Sequence, residues 1–225
     1  MHAKPALVVG IDGYPGGWVA ARLHEGRITW RCAPISEIDA LLEPGATTGI
    51  DMPIGLLTEG ERACDVLARQ QLPDAASRVF LTPPRRVLEL GLTPPNETVQ
   101  ALSRELMGKG VSRQALGLAS RILALDSALA GTDITVVEVH PELSFAELAG
   151  RVLHSKRSAR GVGQRLAVLT DQLPDVLGAL SSAPADVPID DALDALAATW
   201  SAQRWQAGAA RTLPPESAER PFIAV

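Results

Sequence analysis

Acidic residues stand at four places where their position, and not only their number, suggests chemistry. Asp12 ends the apolar run Leu7-Val8-Val9-Gly10-Ile11, and Asp51 ends Thr47-Thr48-Gly49-Ile50. Glu138 ends Ile134-Thr135-Val136-Val137 and is followed by His140 and Glu142. Asp190, Asp191 and Asp194 open a helical pattern much later in the chain. Carboxylates gathered in one place repel unless positive charge sits among them. A pair of hard divalent cations, which prefer oxygen ligands, is the economical solution. Three strand ends and one helix start could meet, because ligands in an open α/β sheet bind at the carboxyl ends of its strands.

The elements that must position these acids can be read in order. Residues 6–12 form a buried strand, and Gly13 to Gly17 a glycine-rich turn. Strands at 18–23 and 28–32 follow, joined by Glu25-Gly26-Arg27, which gives an antiparallel three-stranded meander. After Pro34, the spacing of Ser36 and Asp39 resembles a capping box for a short helix with Ile38, Leu41 and Leu42. The strand to Asp51 then adds in parallel beside the first. Residues 57–130 read as a helical insertion. It has a helix at 61–72, a constrained loop carrying Arg78, Arg85 and Arg86, a helix announced by Pro94-Pro95-Asn96, and one opened by Ser112. A helix with Phe145 and Leu148 follows the strand to Glu138. The last helix runs from about 190 to 206, with Leu193, Leu196, Ala197 and Trp200 as its buried stripe and Asp190 and Asp194 flanking it. The tail 221–225 is too short to assign.

Each acidic position also has a local reading. Asp12-Gly13 is a common turn pair, and Asp51 before Met52-Pro53 fits a turn as well. Glu142 suits the first turn of a helix, and Asp190 or Asp191 suits a helix N-cap. Arg151, Lys156, Arg157, Arg160 and Arg165, with no acid among residues 151–165, fit a solvated surface or a grip on phosphate.

With 225 residues, 46% of them hydrophobic and 21% charged, the chain is expected to fold as one domain, 1–225. A net charge of -5 excludes a protein that coats nucleic acid through general basicity. Cys32 and Cys64 are isolated, which fits a reducing cytoplasm and argues against structural zinc. No apolar run could span a bilayer, and Asp12 arrives before a signal-peptide core could form. A P-loop is excluded because the turn lacks its Lys-Ser/Thr.

Gly10-Ile11-Asp12-Gly13-Tyr14-Pro15-Gly16-Gly17-Trp18-Val19 resembles the opening of a family of predicted RNase H-like nucleases, known as domain of unknown function 429. Further motifs resemble the same family in order: Ile50-Asp51-Met52-Pro53-Ile54-Gly55-Leu56, Arg62-Ala63-Cys64-Asp65 with Arg69, Ser77-Arg78-Val79-Phe80, Glu138-Val139-His140-Pro141-Glu142, Ser155-Lys156 with Gly161 and Arg165, and Asp190-Asp191-Ala192-Leu193-Asp194-Ala195. Asp191-Ala192-Leu193-Asp194-Ala195-Leu196-Ala197 is also similar to the D-x-x-D-A-L-A helix of Holliday-junction resolvases. The resemblance implies an α/β, three-layer RNase H-like fold, with three antiparallel strands followed by parallel ones. It implies phosphodiester hydrolysis with two Mg²⁺ or Mn²⁺ ions on a nucleic acid or nucleotide. Asp12 would bridge the ions, Asp51 and Glu138 would each hold one side, and Asp191 with Asp194 would close the second. Arg78, Arg85, His140, Lys156 and Arg165 would contact substrate or water. A binding or regulatory domain without catalysis is the alternative. An actin-type or sugar-kinase nucleotide site fits less well, because it needs two copies of the fold and a Ser or Thr where Tyr14-Pro15 stands.

Overall fold

The computed structural model describes residues 7–91, 96–215 and 219–225. Strand β1 (Val8–Tyr14) turns through Pro15-Gly16 into β2 (Gly17–His24), and Glu25-Gly26 leads on to β3 (Arg27–Ala33). A 3₁₀ segment, Ile35–Leu41, then leads to β4 (Thr47–Ile50). It starts after Pro34 without a side-chain cap, so the Ser36 capping box does not form. Between β4 and the next core strand come α1 (Ala63–Gln71), α2 (Arg85–Leu90), α3 (Asn96–Met107), α4 (Arg113–Gly117) and α5 (Ala119–Leu129). Ser112 does open a helix, its hydroxyl accepting from the Ala115 amide, but that helix stops at Gly117. Arg85 and Arg86 belong to α2 and not to a loop; Pro94-Pro95 lies outside the described residues.

Strand β5 (Thr135–Glu138) completes the sheet, and α6 (Pro141–Ala149), α7 (Ala159–Thr170), α8 (Val176–Ser181) and α9 (Ile189–Gln206) follow. The tail pairs as β6 (Thr212–Leu213) with β7 (Ile223–Ala224). The sheet order is β3-β2-β1-β4-β5, antiparallel through β3, β2 and β1 and parallel through β1, β4 and β5. This is the RNase H-like arrangement that the resemblance implies.

Strand alternation sorts the layers. Val8, Val19, Ala21 and Leu23 pack with Leu193, Leu196 and Trp200 of α9 and with Phe145 and Leu169. Val9, Ile11, Trp18 and Ala20 pack against Ile38 and Leu41 of the 3₁₀ segment and Ile122 and Leu125 of α5. Helix α9 is buried on every side from Ala192 to Ala202, which is why its apolar content wraps the helix instead of forming a single stripe.

Two glycines let α9 lie against the sheet. A Cβ on Gly10 would overlap the Ala195 carbonyl and the Thr199 amide, and one on Gly49 would press on the Ala198 carbonyl. The Thr199 hydroxyl binds across this contact, donating to Ala21 O at 3.1 Å. Gly10→Ala is therefore expected to cost about 3 kcal/mol, because neither backbone can step aside. A urea midpoint unchanged from wild type would refute the close approach.

Candidate metal centre

The carboxyl ends of β1 and β4 are adjacent, with the Asp51 amide donating to Ile11 O at 3.0 Å. The pleat decides where their acids go. Gly10 and Gly49 face α9, so Asp12 and Asp51, two residues further along, project to that same side. Helix α9 begins there and brings Asp191 and Asp194 from its first turns. Asp12 and Asp194 are 6% and 4% exposed. All four line a single cavity of about 500 Å³, together with Glu142 and Lys156.

Burial raises the Asp12 pKa well above the usual carboxylate range, and Asp51 and Asp194 push it further. Burial lifts Asp51 and Asp194 to about 7 each; Lys156 opposes the shift, and neighbouring acids, Glu142 among them, add to it. Asp191 rises to about 6, through burial and then Asp190. Lys156 is the ammonium in their midst, its Nζ 2.5 Å from Asp194 Oδ2 and 3.7 Å from Asp190 Oδ2. Burial works against its charge, but Asp194, Asp12 and Asp51 outweigh this and raise its pKa. One ammonium does not balance four carboxylates. Asp194 Oδ1 is buried with no hydrogen-bond partner among the described residues. An all-oxygen donor set, excess negative charge and an orphaned carboxylate oxygen fit hard divalent cations.

The same shifts set a pH dependence. In the unfolded chain these acids ionise near 3.8; in the fold Asp51 and Asp194 hold their protons to about 7 and Asp191 to about 6. Between those values the native state carries more protons, so stability falls as pH rises. In chelator, the protein is expected to resist urea better at pH 5 than at pH 7.5, with the loss complete above about 7. Equal or higher stability at pH 7.5 would contradict the crowding of these groups.

Glu138 lines the cavity but is held differently. It pairs with Ile50, whose side chain lies in the layer opposite α9, while Val137 and Val139 on either side of it pack with Ala198 of α9. Its Oε2 accepts from Arg62 and, at 2.7 Å, from the Ile54 amide. Burial raises its pKa to about 7, and Arg62 opposes the rise. Arg62, 1% exposed, also binds Thr82 Oγ1 at 2.9 Å and Asp65 Oδ1 at 3.2 Å. Cys64, Asp65 and Glu138 could in principle share a metal, as their ligand atoms lie within 4.8 Å of one another. The guanidinium of Arg62 already supplies the positive charge there, and burial pushes the Cys64 thiol up, away from the thiolate a metal needs.

The residues expected to touch substrate separate into two groups. His140, Lys156 and Arg78 line the cavity. Burial lowers the pKa of His140, which favours the neutral imidazole, and its Nδ1 has no partner among the described residues. Arg78 is tied to Glu142 Oε2 at 2.8 Å and to Leu153 O at 3.1 Å. Arg165 does not reach the cavity. It is 0% exposed, binds Glu142 Oε1 at 2.7 Å and lies 4.9 Å from the Phe145 ring centroid. Arg85 is also elsewhere, on α2, paired with Asp126 at 2.7 Å.

Glu142 and Arg62, present in the motifs without a site role, both contribute. Glu142 acts on Asp51 and Asp194; its place one residue after Pro141, which starts α6, was the available signal. Arg62 anchors Glu138; the hint was an arginine directly before the helix that carries Asp65.

No curated protein and no solved structure matches the chain. A family model described as protein of unknown function (DUF429) matches residues 10–219, a span that takes in every one of these motifs, and the chain belongs to that family.

Proposed function

We propose that the chain is a metal-dependent phosphodiester hydrolase, a nuclease in its chemistry, using Mg²⁺ or Mn²⁺. The observation that carries this reading is the meeting of Asp12, Asp51, Asp191 and Asp194 in the lining of one cavity. Asp12, whose charge is opposed by Asp51, Asp191 and Asp194 alike, would be shared between two ions. Asp51 would hold one ion, and Asp191 with Asp194 the other. Bound ions of this kind acidify water and stabilise charge on phosphoryl oxygens. The chain's own residues do the rest. Lys156 offers an ammonium to a phosphate oxygen, and His140 lines the cavity as a neutral imidazole able to orient water. Glu138, fixed by Arg62, supports the β5 end and is not counted among the ligands. Two free cysteines, Cys32 at the surface and Cys64 buried, support the reducing cytoplasm as its compartment. No helix among the described residues is long and apolar enough to cross a membrane.

A binding domain without catalysis is the second reading. Lys156 favours it, because a built-in cation already sits on Asp194. Hydrolysis of bis(p-nitrophenyl) phosphate in Mn²⁺ separates the two. Wild type is expected to release p-nitrophenolate at least about 100-fold faster than Asp51→Asn, the scale of losing one group that stabilises charge in the transition state. Release at the same rate from both proteins would leave the binding-domain reading.

A further inference from the structure

The cavity is not lined by acids alone. Val79 and Phe80, from the segment leading to α2, and Leu118, between α4 and α5, give it apolar surface, and Gln114 of α4 adds a side-chain amide. Its volume, about 500 Å³, falls among pockets that enclose small molecules. Phe80 is partly exposed, so a ring is available beside the acidic centre.

The positive charges on offer are few. Among the described residues that line the cavity, the basic side chains are Arg78, Lys156 and Arg157. Arg78 is held by Glu142, and Lys156 by Asp194. Arg157 is exposed and makes no ion pair with a described residue. Arg151 and Arg160 lie in the same stretch of chain but do not line the cavity. A protein that tracks a duplex neutralises several phosphates at once, with steeply salt-dependent affinity. Here a single unpaired guanidinium stands at the cavity of a chain with a net charge of -5.

We infer that the substrate is a short nucleotide diester, either a dinucleotide or the last two nucleotides of a single strand, and not the interior of a duplex. The inference rests on the hydrolase reading and names the substrate of the same site. One base lies against Phe80 and Leu118, with the Gln114 amide as a hydrogen-bonding group. The diester meets the acids, and a flanking phosphate meets Arg157. Water adds to phosphorus, the bond from phosphorus to one sugar oxygen breaks, and a proton from that water ends on the leaving alcohol.

The test compares four substrates in Mn²⁺: a thymidine dinucleotide carrying a 5′-phosphate, a 20-nucleotide single strand, the same strand closed into a circle, and a duplex. The dinucleotide separates a free diester from a strand end, and the circle removes ends altogether. The dinucleotide is expected to be cleaved with kcat/KM at least 100-fold above that of the circle and the duplex. Its rate is expected to change little between 50 and 200 mM salt, and Phe80→Leu is expected to raise its KM about tenfold by losing the ring face. Circle or duplex cleaved as fast as the dinucleotide overturns the inference, and so does an unchanged KM in Phe80→Leu. Hydrolysis of bis(p-nitrophenyl) phosphate without preference for the dinucleotide overturns it too, and leaves the hydrolase standing. Failure to hydrolyse either compound removes the hydrolase reading and this inference with it.

Discussion

Asp12→Asn is expected to raise the melting temperature of the metal-free protein and to abolish its response to Mn²⁺. Burial, Asp51 and Asp194 all oppose the charge of Asp12. Asparagine keeps the shape and removes the repulsion. A gain of about 1 kcal/mol would move the melt by about 2–4 °C in a chain of this size. Wild type in Mn²⁺ at a hundred times its dissociation constant should gain about 2.7 kcal/mol, or about 5–10 °C, through preferential binding to the native state. If Asp12 serves only the turn, where its Oδ1 accepts from the Gly13 amide at 2.7 Å, Asn leaves the apo melt level or lower and the metal response intact. Differential scanning calorimetry of both proteins, with chelator and with Mn²⁺, distinguishes these outcomes. Identical Mn²⁺ shifts would falsify the metal role of Asp12.

Arg62→Met is expected to cost about 3–5 kcal/mol, the usual consequence of leaving buried carboxylates without their partner. Glu138 and Asp65, 5% and 3% exposed, both lean on this guanidinium. The cost should be smaller at pH 5.5 than at pH 8, because an acid pushed up to about 7 even with Arg62 in place takes its proton more readily once the arginine is gone. Adding Glu138→Gln should recover a substantial part of the loss at pH 8. Urea unfolding of the single and double variants reads this directly. The Mn²⁺ shift of the folded Arg62→Met protein should match that of wild type. Loss of that shift would return Glu138 to the metal ligands.

The contrast between Asp51 and Glu138 shows what a sequence can and cannot say. Both end an apolar run, and both runs are strands in the same sheet. The run shows where a strand stops, but which face its last residue takes depends on the register. Ile50 pairs with Glu138, so Asp51 lies one position further along and on the other face. The β1–β2–β3 meander was legible because its turns are short and its apolar residues alternate. The α9 acids were legible because they break an otherwise apolar helix. Arg165 was not, since its partner, Glu142, stands 23 residues earlier and nothing local in residues 151–165 marks a buried charge. Helix α7 is hidden for the same reason: its buried face is made largely by Gly161, Arg165 and Leu169, which do not read as an apolar stripe. The β6–β7 pair is two residues long on each side, below what periodicity can reveal.

The contact of α9 with β1 also fixes when the centre can exist during synthesis. Thr199 closes on Ala21 across 178 residues of chain, and Asp194 reaches the face of Asp12 only through that closure. A ribosome that has delivered β1 to β5 has made a sheet with one face uncovered and its acids in water. Loops this long are slow to close, and the open apolar face is exposed to other chains meanwhile. The acidic centre is thus among the last parts of the molecule to assemble. A nascent chain halted before Asp190 would carry Asp12 and Asp51 without their helix, and so without the centre that the finished protein presents.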